Sequence, residues 1–102
     1  MNFNEYQKLA LKTAAPKTKK NEIFHLVLGL VGEAGEIAEK YKKLVRDKAS
    51  DESQVDKEDM KKELGDVLWY IAVLAEYLEI PFEEIADKNI AKMADRQKRD
   101  KI

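Results

Sequence analysis

The chain has 102 residues, of which 44% are hydrophobic and 38% are charged, which suits one globular domain with a heavily solvated surface. Its 19 basic and 20 acidic residues give a net charge of −1, so no overall field draws it to nucleic acid or anionic lipid. The absence of cysteine excludes disulfides, thiolate metal sites and a cysteine nucleophile. With a single histidine, Cys/His zinc centres are excluded as well.

The sequence gives no sign of membrane or nucleic-acid binding. No apolar run approaches the ~20 residues that span a bilayer, and the N-terminus lacks the basic-then-apolar order of a signal peptide. The lysines are scattered and matched by acids, without the signature of a recognition helix. We therefore expect a soluble, cytoplasmic protein.

The first half of the chain predicts a short helix followed by a long one. Asn2 or Asn4 can cap the first helix, which ends before Pro16. The second helix is predicted over about residues 21–46, and a polar loop follows over residues 47–54. The apolar stripe of the second helix consists of Leu26, Leu30, Ala34, Ile37, Tyr41, Leu44 and Val45.

The second half predicts two further helices. The third covers about residues 55–79, and Pro81 suits the start of the fourth. The apolar stripe of the third helix consists of Leu64, Val67, Leu68, Ile71, Leu74, Ala75 and Leu78. Since no strand signal or repeat is present, we predict an all-α fold, an antiparallel helical bundle of about four helices that forms one domain over residues 1–102.

The long second helix predicts self-association. A helix over residues 21–46 measures about 39 Å, which exceeds the diameter of about 26 Å expected for a compact domain of this size. Part of its apolar stripe is therefore expected to pack on another subunit. We predict a homodimer or a homotetramer that associates through the long helices.

Acidic residues at an acid-x-x-acid spacing occur six times, at 33/36, 36/39, 56/59, 63/66, 76/79 and 84/87. Among 20 acids this spacing alone more often marks a solvated helix face. Two pairs differ in their position on the helical wheel. Glu33 lies beside Leu26 in the apolar stripe of its helix. Glu63 lies beside Val67, and Asp66 follows one turn along.

These two pairs predict a divalent-metal site between helices. Burying several carboxylates is unfavourable unless positive charge is supplied. Mg²⁺ or Mn²⁺ is the simplest source because hard cations prefer carboxylate oxygen, and buried Lys or Arg partners are the alternative. The predicted ligands are Glu33, Glu36, Glu63 and Asp66. Lys40 and Lys43 lie on the same side of the second helix, and their long stems would let them reach an anionic ligand.

Glycines and aromatic residues surround the acids. Gly29, Gly32 and Gly35 each cost about 1 kcal/mol relative to alanine in a helix, so they predict close helix approach or room for a ligand, an irregular helix being the alternative. Tyr70 is one turn from Asp66 and follows Trp69. Packing in the core or at a subunit interface is favoured for these rings over contact with a nucleobase.

The pattern Glu33-x-x-Glu36, a 26-residue gap and Glu63-x-x-Asp66 resembles that of the MazG-like nucleotide pyrophosphohydrolases, part of the all-α NTP pyrophosphatase superfamily. The flanking GLVGEAGEIAE and KKELGDVLWYI agree, as does a later Asn-x-x-Lys pair, over about residues 3–96. The resemblance implies Mg²⁺-dependent hydrolysis of a nucleoside triphosphate to the monophosphate and pyrophosphate. It implies that the four acids bind metal or orient the attacking water.

The resemblance also implies that Asn89 and Lys92 contact phosphate. With Arg96 they share one side of the last helix and offer a donor and two cations to a phosphate tail. His25 could reach phosphate or a base, although a lone histidine near a helix start is more often structural. The candidate substrate-binding residues are Asn89, Lys92, Lys40, Lys43, Arg96 and His25.

Glu36 is the favoured general base, on the expectation that its carboxylate is not saturated by metal. The alternative function is a non-catalytic helical protein that senses nucleotides or binds a partner, which predicts nucleotide binding without turnover. A di-iron carboxylate bundle is set aside, because the Glu-x-x-His pairs that it uses are absent from the sequence.

Overall fold

The computed structural model describes residues 1–99, which fold into four α-helices with no strand among them. The helices are α1 (Phe3–Leu11), α2 (Glu22–Lys48), α3 (Lys57–Tyr77) and α4 (Phe82–Lys98), with a short 3₁₀ helix at Glu52–Gln54 in the bend between α2 and α3. The predicted all-α fold of four helices is therefore confirmed. None of the described helices is both long and apolar enough to cross a membrane.

Local side-chain chemistry explains where the helices begin and end. The side chain of Asn2 caps α1 by accepting a hydrogen bond of 2.8 Å from the backbone N–H of Glu5. Asp56 caps α3 in the same way, so α3 begins two residues later than predicted. The helix α2 continues two residues beyond its predicted end, to the point where Ala49 and Ser50 adopt left-handed backbone conformations.

The helix α3 lies at the centre of the fold, because α2 packs along it while α1 and α4 pack on it and on each other. The helices α2 and α3 are antiparallel, with Gly29 facing Tyr70 and Lys40 facing Asp59. Each step toward the C-terminus along α2 therefore meets a residue nearer the N-terminus of α3. The central core consists of Ala10, Leu26, Ala72, Val73, Tyr77 and Phe82.

The predicted apolar stripe of α3 is wrong in part. Leu64 and Leu78 were assigned to it, yet their exposed fractions are 57% and 50%. Ala72 and Val73, which lie outside the predicted stripe, are fully buried. The reason is that α3 has neighbouring helices on more than one side, so its buried positions extend beyond a single stripe.

A buried glutamine holds the start of α4 against the rest of the fold. The amide nitrogen of Gln7 donates to the backbone carbonyl of Ala72 at 3.3 Å and to that of Ile80 at 2.9 Å. The amide oxygen of Gln7 accepts from the backbone N–H of Phe82 at 3.0 Å. One side chain on α1 therefore satisfies backbone groups on both sides of the turn between α3 and α4.

One face of α2 remains uncovered in the single chain. Among the described residues, α2 contacts α3 and the 3₁₀ helix, and Leu26 is its one fully buried side chain. The outer face of α2 consists of the exposed side chains Ile23, Phe24, Val27, Leu28, Val31, Tyr41 and Val45. The radius of gyration is 16.5 Å, whereas about 13 Å is expected for a compact domain of about 100 residues.

Candidate metal centre

The antiparallel register of α2 and α3 brings the two predicted acid pairs together. Glu33 and Glu36 project from α2 toward Glu63 on α3, and one carboxylate oxygen from each of the three lies within 4.8 Å of the others. Glu33 and Glu63 are half-buried, whereas Glu36 and Asp66 are exposed. The carboxylate cluster, defined as Glu33, Glu36, Glu63 and Asp66, therefore has a sheltered side and a side open to solvent.

Two oxygens of the carboxylate cluster are buried without a hydrogen-bond partner among residues 1–99. These are Oε2 of Glu33 and Oε2 of Glu63. A buried carboxylate oxygen that has lost its water and gained no donor is unfavourable by more than a neutral group would be. A divalent cation bound by these oxygens would remove that penalty, and an all-oxygen donor set of this kind suits Mg²⁺ or Mn²⁺. The residues present therefore fit a hard divalent ion.

Electrostatics at the cluster point in the same direction. Burial raises the pKa of the Glu33 carboxyl above its usual value, and the negative charges of Glu36, Asp66 and Glu63 raise it further. Asp66 thus acts on Glu33 although its oxygens lie outside the tightest group. Burial also raises the pKa of Tyr6 on α1, with a second contribution from Asp66. The contributions of the neighbouring carboxylates to both shifts reflect excess negative charge, which a cation would offset.

A lysine supplies part of the missing positive charge. The ammonium group of Lys40 forms ion pairs with Asp59 and with Oε1 of Glu63, the latter at 3.0 Å. The hydrogen bond to Asp59 makes the largest contribution to raising the pKa of Lys40 well above its usual value, and the hydrogen bond to Glu63 makes the second largest. The lysine partner that the sequence left as an alternative to metal is therefore present at one oxygen of Glu63. The other oxygen of Glu63 remains without a donor.

Asp59, from the 56/59 pair, is a neighbour of the cluster that was not among the predicted ligands. It is half-buried and lies one turn before Glu63 on α3. The i, i+4 spacing of Asp59 and Glu63 was the available signal. That signal gains meaning only once the register with α2 places a lysine opposite both carboxylates.

Close helix approach occurs at one of the three predicted glycines. A Cβ atom at Gly29 would lie 2.2 Å from Cε1 of Tyr70, so the ring fills the space that glycine leaves open. At Gly32 and Gly35 no other group lies within 4 Å of such an atom. Tyr70 packs against the core and meets Trp69 edge-on, with ring centroids 5.1 Å apart. Core packing, the favoured role for Tyr70, agrees with this position.

The predicted phosphate-binding residues lie on exposed surfaces. Asn89, Lys92 and Arg96 are exposed on α4, which packs on α1 and α3. His25 is exposed on α2, with Nδ1 3.6 Å from Oε2 of Glu22. Lys43 is exposed and lines, together with Lys40 and Asp59, a groove of about 280 Å³ beside the bend. The structure brings Lys40 to the cluster, and the phosphate roles of all these residues stay predictions.

Comparison with known proteins assigns the chain to a family. The family model of the MazG nucleotide pyrophosphohydrolase domain matches residues 22–100, a range that contains the whole carboxylate cluster. The chain belongs to the MazG nucleotide pyrophosphohydrolase family. The MazG match begins at α2, so α1 and its buried Gln7 lie outside the matched region.

The "Gene 37 protein" of Mycobacterium phage L5 is similar to this MazG family member. The two are 44% identical over 75 residues, which make up 74% of this chain. The same residues make up 66% of the phage protein, so the match spans slightly less than two thirds of its length. No solved structure matches the chain.

Proposed function

We propose that the protein is a Mg²⁺-dependent nucleoside triphosphate pyrophosphohydrolase, which converts an NTP or dNTP and water to the monophosphate and pyrophosphate. Membership of the MazG family supports a nucleotide pyrophosphohydrolase. The observation that carries the proposal is the pair of buried oxygens of Glu33 and Glu63 that lack a donor inside the carboxylate cluster. Because nucleoside triphosphates are intracellular metabolites, the cytoplasm is the compartment we propose.

The ion would be held by Glu33, Glu36 and Glu63, whose oxygens already lie close together. When bound, a divalent ion supplies the positive charge that lets an acidic site accept a triphosphate and polarises the phosphorus that is attacked. Mn²⁺ would fit the same oxygens. Asp66, on the exposed side of the cluster, would complete the ligand set or orient the attacking water.

Glu36 is the carboxylate we propose as general base. It belongs to the tight group of oxygens, yet its side chain is open to solvent, so a water molecule can reach it. Water would attack the anhydride between the α- and β-phosphoryl groups and give its proton to Glu36. Cleavage of the anhydride would release the nucleoside monophosphate and pyrophosphate.

The triphosphate needs cationic and hydrogen-bonding partners in addition to the acids. Lys92, Arg96 and Asn89 share one exposed side of α4, and Lys43 lies in the groove next to the cluster. We propose that they contact phosphate oxygens, because charged donors give the strongest hydrogen bonds to such anions. His25 has one ring nitrogen near Glu22, and its other nitrogen is available to a phosphate or base.

We also propose that a second copy of the chain covers the outer face of α2. Phe24, Leu28 and Val31 follow the four- and three-residue spacing of a helix–helix seam. Val45 lies 14 residues further along the same side of α2, and each of the four side chains is more than 60% exposed. Contiguous exposed apolar surface of this kind marks an interaction site. A net charge of −1 gives two copies little reason to repel each other. The result is a homodimer, and a homotetramer would result if further apolar surface pairs.

A product assay tests the proposed function. Common and modified nucleoside triphosphates are incubated with the protein and Mg²⁺, and both the nucleotide product and the released phosphate species are quantified. We expect monophosphate and pyrophosphate in equal amounts and no turnover when the ion is chelated. Diphosphate with orthophosphate would contradict the proposal. Nucleotide binding without any turnover would favour the alternative, a non-catalytic nucleotide sensor.

A further inference from the structure

The position of Lys40 gives the carboxylate cluster a cation of its own. Its ammonium group lies between Asp59 on one side and Oε1 of Glu63 on the other. Among residues 1–99, no other lysine or arginine pairs with any acid of the cluster. The side chain of Glu63 is 13% exposed and that of Lys40 is 37% exposed, so bulk water screens this pair less than a fully exposed one.

The charges at the site do not balance without a further cation. The four acids of the cluster and Asp59 carry five negative charges when ionised, and Lys40 provides one positive charge. Lys40 binds one oxygen of Glu63 and leaves the other buried and without a donor. Glu63 also contributes one carboxylate oxygen to the group that includes Glu33 and Glu36. Glu63 therefore stands between two cation positions, and the lysine already fills one of them.

We propose that Lys40 is a resident cation that takes the place of a second divalent ion at Glu63. It stabilises the protein when no metal is bound, and it weakens the affinity of the neighbouring position for a divalent ion. This inference rests on the proposed function, since it requires the same carboxylates to bind a divalent ion.

Two opposite effects of the lysine charge follow from Coulomb's law. The charge offsets repulsion among the carboxylates in the metal-free protein, so its removal lowers the stability of that form. The same charge repels an incoming divalent cation, so its removal strengthens ion binding. A solvent-exposed lysine that does not interact with the cluster would produce neither effect. A lysine that merely holds Glu63 in place would weaken ion binding when removed, which is the opposite sign.

Mn²⁺ titration without nucleotide, followed by electron paramagnetic resonance of the free ion, separates these cases. The variants are Lys40→Gln, Lys40→Arg and the control Lys42→Gln, which makes the same charge change at an exposed site on the same helix. We expect Lys40→Gln to bind Mn²⁺ about three- to tenfold more tightly than the wild type. Lys40→Arg keeps the charge and should bind like the wild type, as should Lys42→Gln.

Thermal unfolding in a chelator gives the second readout. We expect Lys40→Gln to melt at a lower temperature than Lys42→Gln, and added Mn²⁺ to raise its melting temperature by more than it raises that of the wild type. If Lys40→Gln is unfolded in the chelator, return of its helical circular dichroism on addition of Mn²⁺ supports the inference. Failure to return would overturn it.

Unchanged or weaker Mn²⁺ binding by Lys40→Gln, relative to Lys42→Gln, would also overturn the inference. The pyrophosphate assay on the wild-type protein is independent of this result. Tighter Mn²⁺ binding by Lys40→Gln without pyrophosphate release by the wild type would contradict the proposed function and leave the role of Lys40 intact. Pyrophosphate release with unchanged Mn²⁺ binding by Lys40→Gln would contradict the role of Lys40 alone.

Discussion

The ring of Tyr70 on α3 packs against the backbone of Gly29 on α2, in the space that a side chain at position 29 would fill. A Cβ atom at Gly29 would lie 2.2 Å from the ring carbon Cε1. Glu33 follows Gly29 by one helical turn, and Asp66 precedes Tyr70 by one turn. The contact that lets the two helices approach therefore sits next to the carboxylate cluster. The separation between the two acid pairs depends on it.

Replacement of Gly29 by alanine should destabilise the fold. The added methyl group collides with Tyr70, and overpacking of this kind costs about 1–3 kcal/mol, which cancels or exceeds the ~1 kcal/mol that alanine gains in helix propensity. The control is Gly65→Ala on α3, where a Cβ atom meets no other group within 4 Å. It should raise the free energy of unfolding by up to ~1 kcal/mol. Urea unfolding measures both, and equal effects of the two substitutions would contradict the close approach.

Removal of one charge from the carboxylate cluster should abolish most of the activity. In Glu36→Gln the side chain keeps its shape but loses its charge and its basicity. We expect kcat/KM for pyrophosphate release to fall about a hundredfold or more, since even indirect partners of metal ligands contribute 10- to 100-fold. Glu39→Gln is the matched control, an exposed acid on the same helix outside the cluster. Similar activity of the two variants would contradict the assignment of Glu36.

The raised pKa of Glu33 predicts a specific pH dependence of stability. The folded protein binds the Glu33 proton more tightly than the unfolded chain does, because burial and the neighbouring acids disfavour its charge. Stability in a chelator should therefore rise as the pH falls through the raised folded pKa toward the ordinary value of 4.5. Below that value Glu33 contributes no further change.

The variant Glu33→Gln isolates this contribution. Melting temperatures of the wild type and Glu33→Gln are measured in a chelator from pH 7 down to pH 4.5. As the pH falls, the melting temperature of the wild type should rise relative to that of Glu33→Gln. Mg²⁺ favours the ionised carboxylate, so its addition should reverse the trend. A difference that does not change with pH would show that Glu33 titrates normally in the folded state.

The hydrogen bonds of Gln7 should contribute measurably to stability. Gln7→Leu replaces the amide by an apolar side chain of similar size. It leaves the backbone N–H of Phe82 without its acceptor and the carbonyl of Ile80 without its side-chain donor. We expect a loss of about 1–3 kcal/mol in the free energy of unfolding. The exposed Gln97, on α4, offers a control in Gln97→Leu, which should change stability by less than ~0.5 kcal/mol. Chemical denaturation of the two variants compares them directly.

A charge on the outer face of α2 should separate the proposed subunits. Leu28 and Ile90 are 68% and 69% exposed in the single chain, but only Leu28 lies on that face. We expect Leu28→Glu to sediment with the mass of a monomer and Ile90→Glu to sediment with the mass of the assembled wild type. A wild-type protein that sediments as a monomer at micromolar concentration would contradict the proposed association.

Sequence periodicity was sufficient for the helices and for the sheltered position of Glu33. The chemistry of a helix cap is local, so the sequence limited the start of α1 to Asn2 or Asn4, and Asn2 is the cap. The wheel position of Glu33 beside Leu26 correctly indicated a half-buried acid. The reason is that α2 packs mainly on one neighbouring helix, so its buried positions follow the 3.6-residue period. Both features depend on residues that are close in the chain.

Contacts between helices were beyond the reach of periodicity. The ion pairs of Lys40 with Asp59 and Glu63 depend on the register between α2 and α3, which no single helix encodes. The burial of Val73 was missed for a related reason, since α3 has neighbours on more than one side. A glycine at position 29 suggested close approach, but only the assembled pair of helices shows that Tyr70 fills the gap.

The antiparallel register of α2 and α3 also sets which changes of length the site can absorb. One residue inserted between Glu33 and Lys40 would turn the rest of α2 by about 100° and move its remaining side chains away from their partners on α3. Residues added to the bend at 49–56 would leave both helices as they are. Evolution is therefore free to lengthen the bend, whereas the spacing from Gly29 to Lys40 is fixed by the chemistry across the helix pair.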